Sequence, residues 1–485
     1  MTLRATSLLR WRLATAFCCF AATTASAQQD SSVVPIASLR LRAESWDWFD
    51  AGAEGRYAFG AAHLRLGAAR ETGRYGWRVE FASPALVGLP TDAVLPAPAG
   101  QLGLGAAYHA ANDNRRAAIG GFAKQVFVRV GAASAARGHA LRVGRFEFSD
   151  ALEWTPRDPT LAEVRRTRVS QRLIGPFGFT HGQRSFDGAE YTHRTPTQGF
   201  TAVAFRPTSG VFDVDGSRSL NVDVIYAALN RSVGRPASPA DLRLFVLRYD
   251  DRRGTVPVDS RPLAARQSGS RRIGVTSVGG HWTQRLGHAD RPVDVMVWGV
   301  RQWGQWAGLT HGAGALAVEA GWRDLRSTRR PVVRVGVVRS SGDPDPTDDQ
   351  HATFFQVLPT PRAYAPFPFH NLQNIEEVFV AAESRIAPRV TLRASAHGYR
   401  LRQGADLWTL GGGAFDAGSF GYAGRPANGA TGLGQAVTVS AAWQPSPRLQ
   451  FEVFAAQATG GDVTAASYGA ARPARLVYLE TTLRR

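Results

Sequence analysis

Lysine is nearly missing from this 485-residue chain: Lys124 is the one lysine, and every other basic residue outside histidine is arginine. A GC-rich genome would produce that bias. So would a need for guanidinium, which keeps its charge and grips a carboxylate or phosphate through two parallel hydrogen bonds. Cysteine is as scarce, with Cys18 and Cys19 side by side near the start. A mature chain beginning beyond them has no disulfide framework, no zinc–cysteine site and no thiol nucleophile. Beyond residue 27 no stretch approaches the ~18 uninterrupted apolar residues of a membrane helix, and helical periodicity is scarce. Zinc-protease, nucleophile-elbow and phosphate-loop motifs are also missing, so nothing marks the chain as an enzyme or calls for a cofactor.

What is present excludes disorder and collagen: 44% of residues are apolar, 20% are charged, and glycine and proline number 51 and 27 without a period. Arg4, Arg10 and Arg12 precede an apolar run from Leu13 to Ala22 and then Ala25-Ser26-Ala27. This order predicts a cleaved secretory leader over 1–27 and a mature chain over 28–485. Basic residues outnumber acidic ones for a formal +18, and the leader carries three arginines and no acid, so the mature surplus is +15. A secreted basic protein meets polyanions such as lipopolysaccharide or acidic polysaccharide; nucleic acid is not an expected partner.

Alternation with period two recurs along the whole length. Tyr75, Trp77, Val79 and Phe81 alternate with Gly76, Arg78, Glu80 and Ala82; the segments at 333–337, 390–397 and 449–453 behave alike. A soluble sandwich would also alternate. The leader, the number of such segments in one chain and the aromatics near segment ends (Trp46, Trp48, Trp298, Trp303, Trp306, Tyr399, Trp408, Trp443) point instead to interfacial girdles of a membrane barrel. Hydrocarbon cannot satisfy an open sheet edge, so the last strand should return to the first. The expected fold is therefore all-β: a transmembrane antiparallel β-barrel of about 18 strands in the bacterial outer membrane. Long loops are expected near 83–121, 149–182, 251–270, 340–372 and 403–434, lengths that commonly serve as lids and constrictions.

Placing the polar face of the clean strands inward puts Arg40, Arg42, Arg65, Arg78, Arg323, Arg334, Arg389 and Arg393 in the lumen with Glu44, Glu80, Glu319 and Glu452. Rings of arginine select anions, and interspersed acids keep an anion from binding too tightly to leave. The same ladder could simply brace the wall. His63, His281 and His397 read as polar lumen residues. Between Ser341 and His351, Asp343, Asp345, Asp348 and Asp349 supply enough oxygen ligands for a structural calcium ion, though without an EF-hand pattern. A hydrated, proline-stiffened loop is the alternative.

Two groups of segments resemble the alginate export family of outer-membrane barrels. The first is Val143-Gly144-Arg145-Phe146, Arg172-Leu173-Ile174-Gly175-Pro176-Phe177 and Gly182-Gln183-Arg184-Ser185-Phe186-Asp187-Gly188. The second is Ser341-Gly342-Asp343 with Thr353-Phe354-Phe355-Gln356-Val357-Leu358-Pro359-Thr360. The resemblance implies a monomeric barrel that passively exports an anionic, uronate-containing polysaccharide through an Arg-rich lumen, with loops as gates and periplasmic secretion machinery as a partner. It implies that Arg145, Arg172 and Arg184 line the passage and that Asp343 sits in a gating or structural loop. A general anion-selective or carbohydrate uptake porin is the competing reading. One departure is the C-terminus, Leu483-Arg484-Arg485, where such barrels usually end in an aromatic residue.

Overall fold

Segments with one apolar and one polar face become eighteen long strands in the computed structural model, which describes residues 33–131, 137–365, 367–469 and 472–485. The expected leader, 1–27, lies outside the described residues. The first six strands are β1 (Val34–Asp47), β2 (Arg56–Glu71), β3 (Tyr75–Val87), β4 (Phe122–Gly131), β5 (Gly138–Phe146) and β6 (Phe186–Arg194). Then come β7 (Gln198–Pro207), β8 (Val222–Arg235), β9 (Ser238–Asp251), β10 (Ile273–Leu286), β11 (Val293–Trp306) and β12 (Leu309–Arg323). The last six are β13 (Val332–Ser340), β14 (Ile375–Ala387), β15 (Val390–Leu401), β16 (Gly432–Ser446), β17 (Leu449–Gly460) and β18 (Ala474–Arg484). Each is antiparallel to the next, and β18 returns to β1, with Ser38 opposite Arg484 and Asp47 opposite Arg475. No edge strand is left to satisfy, and Leu483 of the non-aromatic C-terminus pairs with Leu39 in this closing seam.

The two ends of the barrel differ. At the end holding both termini, strands are joined by short turns such as 72–74, 195–197, 236–237 and 388–389. At the other end the connections are 48–55, 88–121, 147–185, 208–221, 252–272, 341–374, 402–431 and 461–473. The five long loops expected from composition fall here; those at 48–55, 208–221 and 461–473 are additional. A single tight connection interrupts the long ones: Ala307 and Gly308 join β11 to β12, both with positive φ (48° and 94°), as a two-residue turn between twisted strands requires. In outer-membrane barrels the short-turn end faces the periplasm.

The outward face is aliphatic. Val378 and Val437 are each 59% exposed, and Leu41, Leu66, Val128, Ile225 and Leu479 share that face around the wall. The expected aromatic girdle needs correction. Trp303 and Trp443 point outward, whereas Trp46, Trp48, Trp298, Trp306, Tyr399 and Trp408 are buried within the barrel. Alternation groups residues by face, but it cannot say which face is outside where both are apolar. Here the inner face is apolar because folded-in loops cover it. Outward aromatics gather at the short-turn end instead: Tyr75, Trp282 and Trp322 beside Trp443, which stacks on Phe451 at 5.4 Å.

Two loops fill much of the interior. In 147–185, Asp158 caps α2 (Pro159–Val164), a helix after α1 (Leu104–Ala111), by accepting a hydrogen bond from the Leu161 amide at 3.1 Å; Pro159 in the first turn has no N–H to leave unpaired. The chain continues as one turn of π-helix, Arg165–Val169, and then runs extended. There it meets loop 341–374 through main-chain hydrogen bonds: Leu358 N to Leu173 O (2.8 Å), Gly175 N to Leu358 O (2.8 Å) and Thr360 N to Gln171 O (3.0 Å). Gln356 donates to Arg172 O at 2.9 Å and accepts from the Leu372 amide at 2.9 Å. Leu173, Ile174, Phe354, Phe355, Val357 and Leu358 join inward residues of the wall, including Phe205, Tyr226 and Trp298, in one dry cluster.

Candidate functional site

The wall arginines are placed by strand parity and held by carboxylates. Arg40, Arg42, Arg65, Arg78, Arg323, Arg334 and Arg393 face inward, as do Glu44, Glu80, Glu319 and Glu452. Arg42 donates to Glu480 at 2.8 Å. Arg65 pairs with Glu80 and, at 3.2 Å, with Glu147; Arg78 pairs with Glu80 at 2.6 Å. Arg393 pairs with Glu383 at 2.7 Å. Arg40 is used differently: its guanidinium donates to the carbonyls of Gly178 (2.6 Å) and Thr180, tying the inward loop to β1. His63 binds the carbonyl of His181 at 2.5 Å from the neighbouring strand. His281 pairs with Asp241 and His397 with Glu377.

Two residues expected in the lumen lie elsewhere. Arg145 shares the outward face of β5 with Leu141 and Val143 and forms a fork with outward-facing Asp187 (2.6 and 2.8 Å), while its other N–H groups reach the carbonyl of Ser217. The motif places it near the passage, but parity turns it away. Arg389 has φ of 67° in the turn between β14 and β15, is exposed at the short-turn end, and donates to Pro445 O. A turn residue does not continue the face of the strand that follows it.

Arg172 and Arg184 are inside but wholly buried in the loop plug. Glu319 is the centre of the Arg172 site. It accepts from Arg168 at 2.6 and 3.0 Å and from Arg172 at 2.9 Å, with Arg334 at 3.6 Å. Arg172 also lies over the rings of Trp298 and Tyr364, at 5.2 and 4.3 Å. Asp294 holds Arg334 and, at 3.2 Å, Arg323, whose other arm reaches Glu163 of the loop at 2.8 Å. A second group ties Arg243 to Glu153 (2.8 Å) and Arg165 to Asp241 (3.1 Å). Arg184 donates to the carbonyls of Ala414 (3.0 Å) and Gly412, and burial lowers its pKa to about 10.

Arg165, Arg168, Arg243 and Asp294 were not singled out in the sequence. The first two carried a signal: Arg165, Arg168 and Arg172 are spaced by three and four, which puts them on one side of a helical turn.

The acidic stretch does not gather. Asp345 accepts from the Thr347 amide at 2.9 Å and Asp348 from the Gln350 amide at 2.8 Å. Asp343 turns inward, its N–H donating to Asp406 at 2.8 Å. Among the described residues no group of three or more such side chains could hold a metal ion. Ser341-Gly342-Asp343 is a loop anchor: Ser341 Oγ donates to Ala352 O at 2.7 Å, and a Cβ on Gly342 would collide with the Asn374 side chain.

Burial, with Asp406 nearby, pushes the Asp343 carboxyl up to about 6. Its folded pKa therefore exceeds the unfolded value near 3.9, so the folded loop holds the extra proton between these values and docking strengthens as pH falls from 7 towards 4. Hydrogen exchange of amides in 341–374 should be slower at pH 5 than at pH 7.5 after correction for intrinsic rates. D343N should show the slower, corrected rate at both; a D343N loop with the native pH response would reject this assignment.

Two cavities lie against the plug. One, of about 350 Å³, lies among the long loops, with walls from Trp48, Phe179, Phe212, Arg362, Tyr422 and Arg425. The other, about 420 Å³, is lined by Glu71, Arg129, Arg142, Glu190 and Arg194 of β2 and β4–β6, towards the short-turn end. Pro176 lines this second cavity and Phe177, the next residue, lines the first, so segment 171–185 is the partition.

The upper cavity is lined by two guanidiniums that form no salt bridge among the described residues, Arg362 and Arg425, and by one carboxylate, Asp416. Arg362 lies 5.9 Å from the Phe179 ring, and burial lowers its pKa to about 10, which still leaves it charged at neutral pH. Arg425 donates to Ala99 O (3.0 and 2.7 Å) and lies over Trp408 and Tyr468. Neither stood out in the sequence, because each lies in a loop without alternation.

A closed eighteen-strand antiparallel barrel with an aliphatic exterior and a loop-narrowed, ionic interior defines an outer-membrane channel. Solved structures share that fold. OpdK from Pseudomonas aeruginosa aligns with a TM-score of 0.54 at 10% identity over 93% of this chain and 99% of its own. OccAB1 from Acinetobacter baumannii gives 0.57 at 10% over 93% and 96%. OccK2 (OpdF) from Pseudomonas aeruginosa, solved in complex with glucuronate, gives 0.55 at 9% over 93% and 97%. No curated protein sequence matches the chain. The family model for alginate export matches residues 104–478, and the chain belongs to that family. It is a transport protein of the bacterial outer membrane rather than an enzyme.

Proposed function

We propose that the channel exports an anionic, uronate-bearing polysaccharide, with the upper cavity as the place where the chain's carboxylates and sugar faces are held in passing. The observation that carries this reading is that Arg362 and Arg425, neither in a salt bridge among the described residues, outnumber the one carboxylate, Asp416, in a cavity walled by Trp48, Phe179, Phe212 and Tyr422. Guanidinium matches a carboxylate in two hydrogen bonds, and aromatic faces cover the apolar side of a sugar ring. Family membership supports a uronate polymer as cargo. The wall arginines contribute a positive but largely neutralised lining.

The test is block of single channels in a planar bilayer by polyuronate added from either side. R362Q should weaken that block roughly tenfold, the value of one charge-assisted contact, and leave block by a neutral glucan unchanged. Equal block of native and R362Q channels would reject the site.

A cavity of about 350 Å³ is the size of a small-ligand pocket, and this favours a second reading, uptake of small anionic sugars. Reversal potentials in a gradient of glucuronate separate the two: free permeation of the monomer without block by the polymer supports uptake.

A further inference from the structure

The outward faces at the two ends of the barrel carry different chemistry. Trp282, Trp322 and Trp443 mark the short-turn end. At the long-loop end the same face carries arginines and acids: Arg145 with Asp187, Arg206 and Arg252 with Asp223, Arg248 with Asp250. In these groups at most two arginines share an acid.

On β13–β15 the balance changes. Arg339, Glu376 and Arg400 stand opposite one another in one row across three strands, and Arg402 follows the end of β15. Glu376 accepts from Arg339 at 2.7 Å, from Arg400, and lies 3.5 Å from Arg402. Three guanidiniums thus surround one carboxylate, a surplus of two positive charges. Glu376 is mostly covered at 15%, while the arginines keep 49%, 63% and 41% of their side chains exposed. Their unused N–H groups therefore face outward. The next outward row towards the short-turn end is Val337 opposite Val378, and the one after it Val335 opposite Val380; these four valines are 44–59% exposed.

We propose that Arg339, Arg400 and Arg402, gathered by Glu376, bind the phosphate of an outer-leaflet lipid whose acyl chains lie along Val337, Val378, Val335 and Val380. The occupant is set by two features together. A surplus of guanidinium at headgroup level calls for a phosphate, which each fork can hold by two hydrogen bonds. The valine rows directly beneath call for hydrocarbon, so the phosphate belongs to a lipid and not to a free ion. Glu376 neither repels the lipid nor neutralises the group; it fixes the three forks in one plane of the wall.

Native mass spectrometry of the full-length, delipidated protein in detergent tests this, with bisphosphorylated lipid A, fully dephosphorylated lipid A and inorganic phosphate as separate probes. The bisphosphorylated lipid should remain bound in preference to both others. R339Q/R400Q should weaken its retention at least tenfold, one lost charged contact or more, while R385Q at the opposite end of β14 should not. Heat-modifiable migration reports whether each variant is a folded barrel. R402Q, outside the strand, gives a smaller loss in the same direction and serves should the double variant fail to fold. Unchanged retention in R402Q and the double variant, equal retention of the dephosphorylated lipid, or equally tight inorganic phosphate would each overturn the proposal.

Discussion

A Glu319→Gln channel is expected to conduct in longer and more frequent openings than the native channel, whose openings the docked plug keeps rare. Glu319 is a wholly buried side chain on the wall that receives Arg168 and Arg172 from the inward loop and shares Arg334 with Asp294. Glutamine keeps the shape and removes the charge. Two buried guanidiniums of the loop would then face an amide, and removing one partner of a buried ion pair costs about 3–5 kcal/mol because the other is left uncompensated. The wall loses less, since Asp294 still holds Arg334 and Arg323. The free energy therefore falls on the docking of 147–185 and not on the barrel, whose strands are joined by closed main-chain ladders. Single-channel recording should show the open fraction rising by a factor of about a hundred or more, with heat-modifiable migration unchanged. Adding R172M removes one of the stranded cations and should return part of the closure. A native-like E319Q trace would show that the loop is held by its main-chain pairing with 341–374 alone.

How much of this was legible in the sequence depends on which face of a strand is asked about. Where one face is aliphatic and the other charged, as at Arg40, Arg42, Arg65 and Arg78, period-two reading gives both the strand and its inward residues, and closure follows from the demands of hydrocarbon. Where both faces are apolar, as in Val224-Ile225-Tyr226-Ala227-Ala228-Leu229, parity is hidden. The inner apolar residues exist to receive Leu173, Phe354 and Phe355, which are hundreds of ångströms of extended chain away from some of their partners, so no local pattern announces them. The tryptophans show the same limit: a place near a segment end suggests a lipid-facing girdle, yet Trp46, Trp48, Trp298, Trp306 and Trp408 lie in the covered interior. The motif segments 172–177 and 353–360 were noticed separately, but their meaning is mutual, since they pair with each other inside the barrel. Arg362 and Arg425 had no periodic context at all.

Excising residues 151–182 and bridging the gap with a short Gly/Ser turn should produce the largest change in conductance and reveal what sets ion preference. The excision removes the partition between the two cavities, and a barrel of this strand number is wide enough for a continuous aqueous lumen once unplugged. Conductance should rise several-fold. The segment also carries Arg157, Arg165, Arg166, Arg168 and Arg172 against Glu153, Asp158 and Glu163, so its loss shifts the interior by two negative charges. On the wall, Glu319 would keep Arg334 alone and Asp241 would keep His281, whose imidazole is not a permanent cation as the Arg165 guanidinium is. Of the wall arginines, Arg42, Arg65, Arg78 and Arg393 remain paired with Glu480, Glu80 and Glu383, whereas Arg243 loses Glu153, Arg323 loses Glu163 but keeps Asp294, and Arg40 loses the carbonyls of Gly178 and Thr180. If the positive character of the passage resides in the inward loop, the excised channel loses most of its anion preference in a salt-gradient reversal-potential measurement while conducting better. If the paired wall arginines set it, the wide pore keeps its anion preference, and the arrangement of charge argued from Glu319 and its partners is not the one that ions sense.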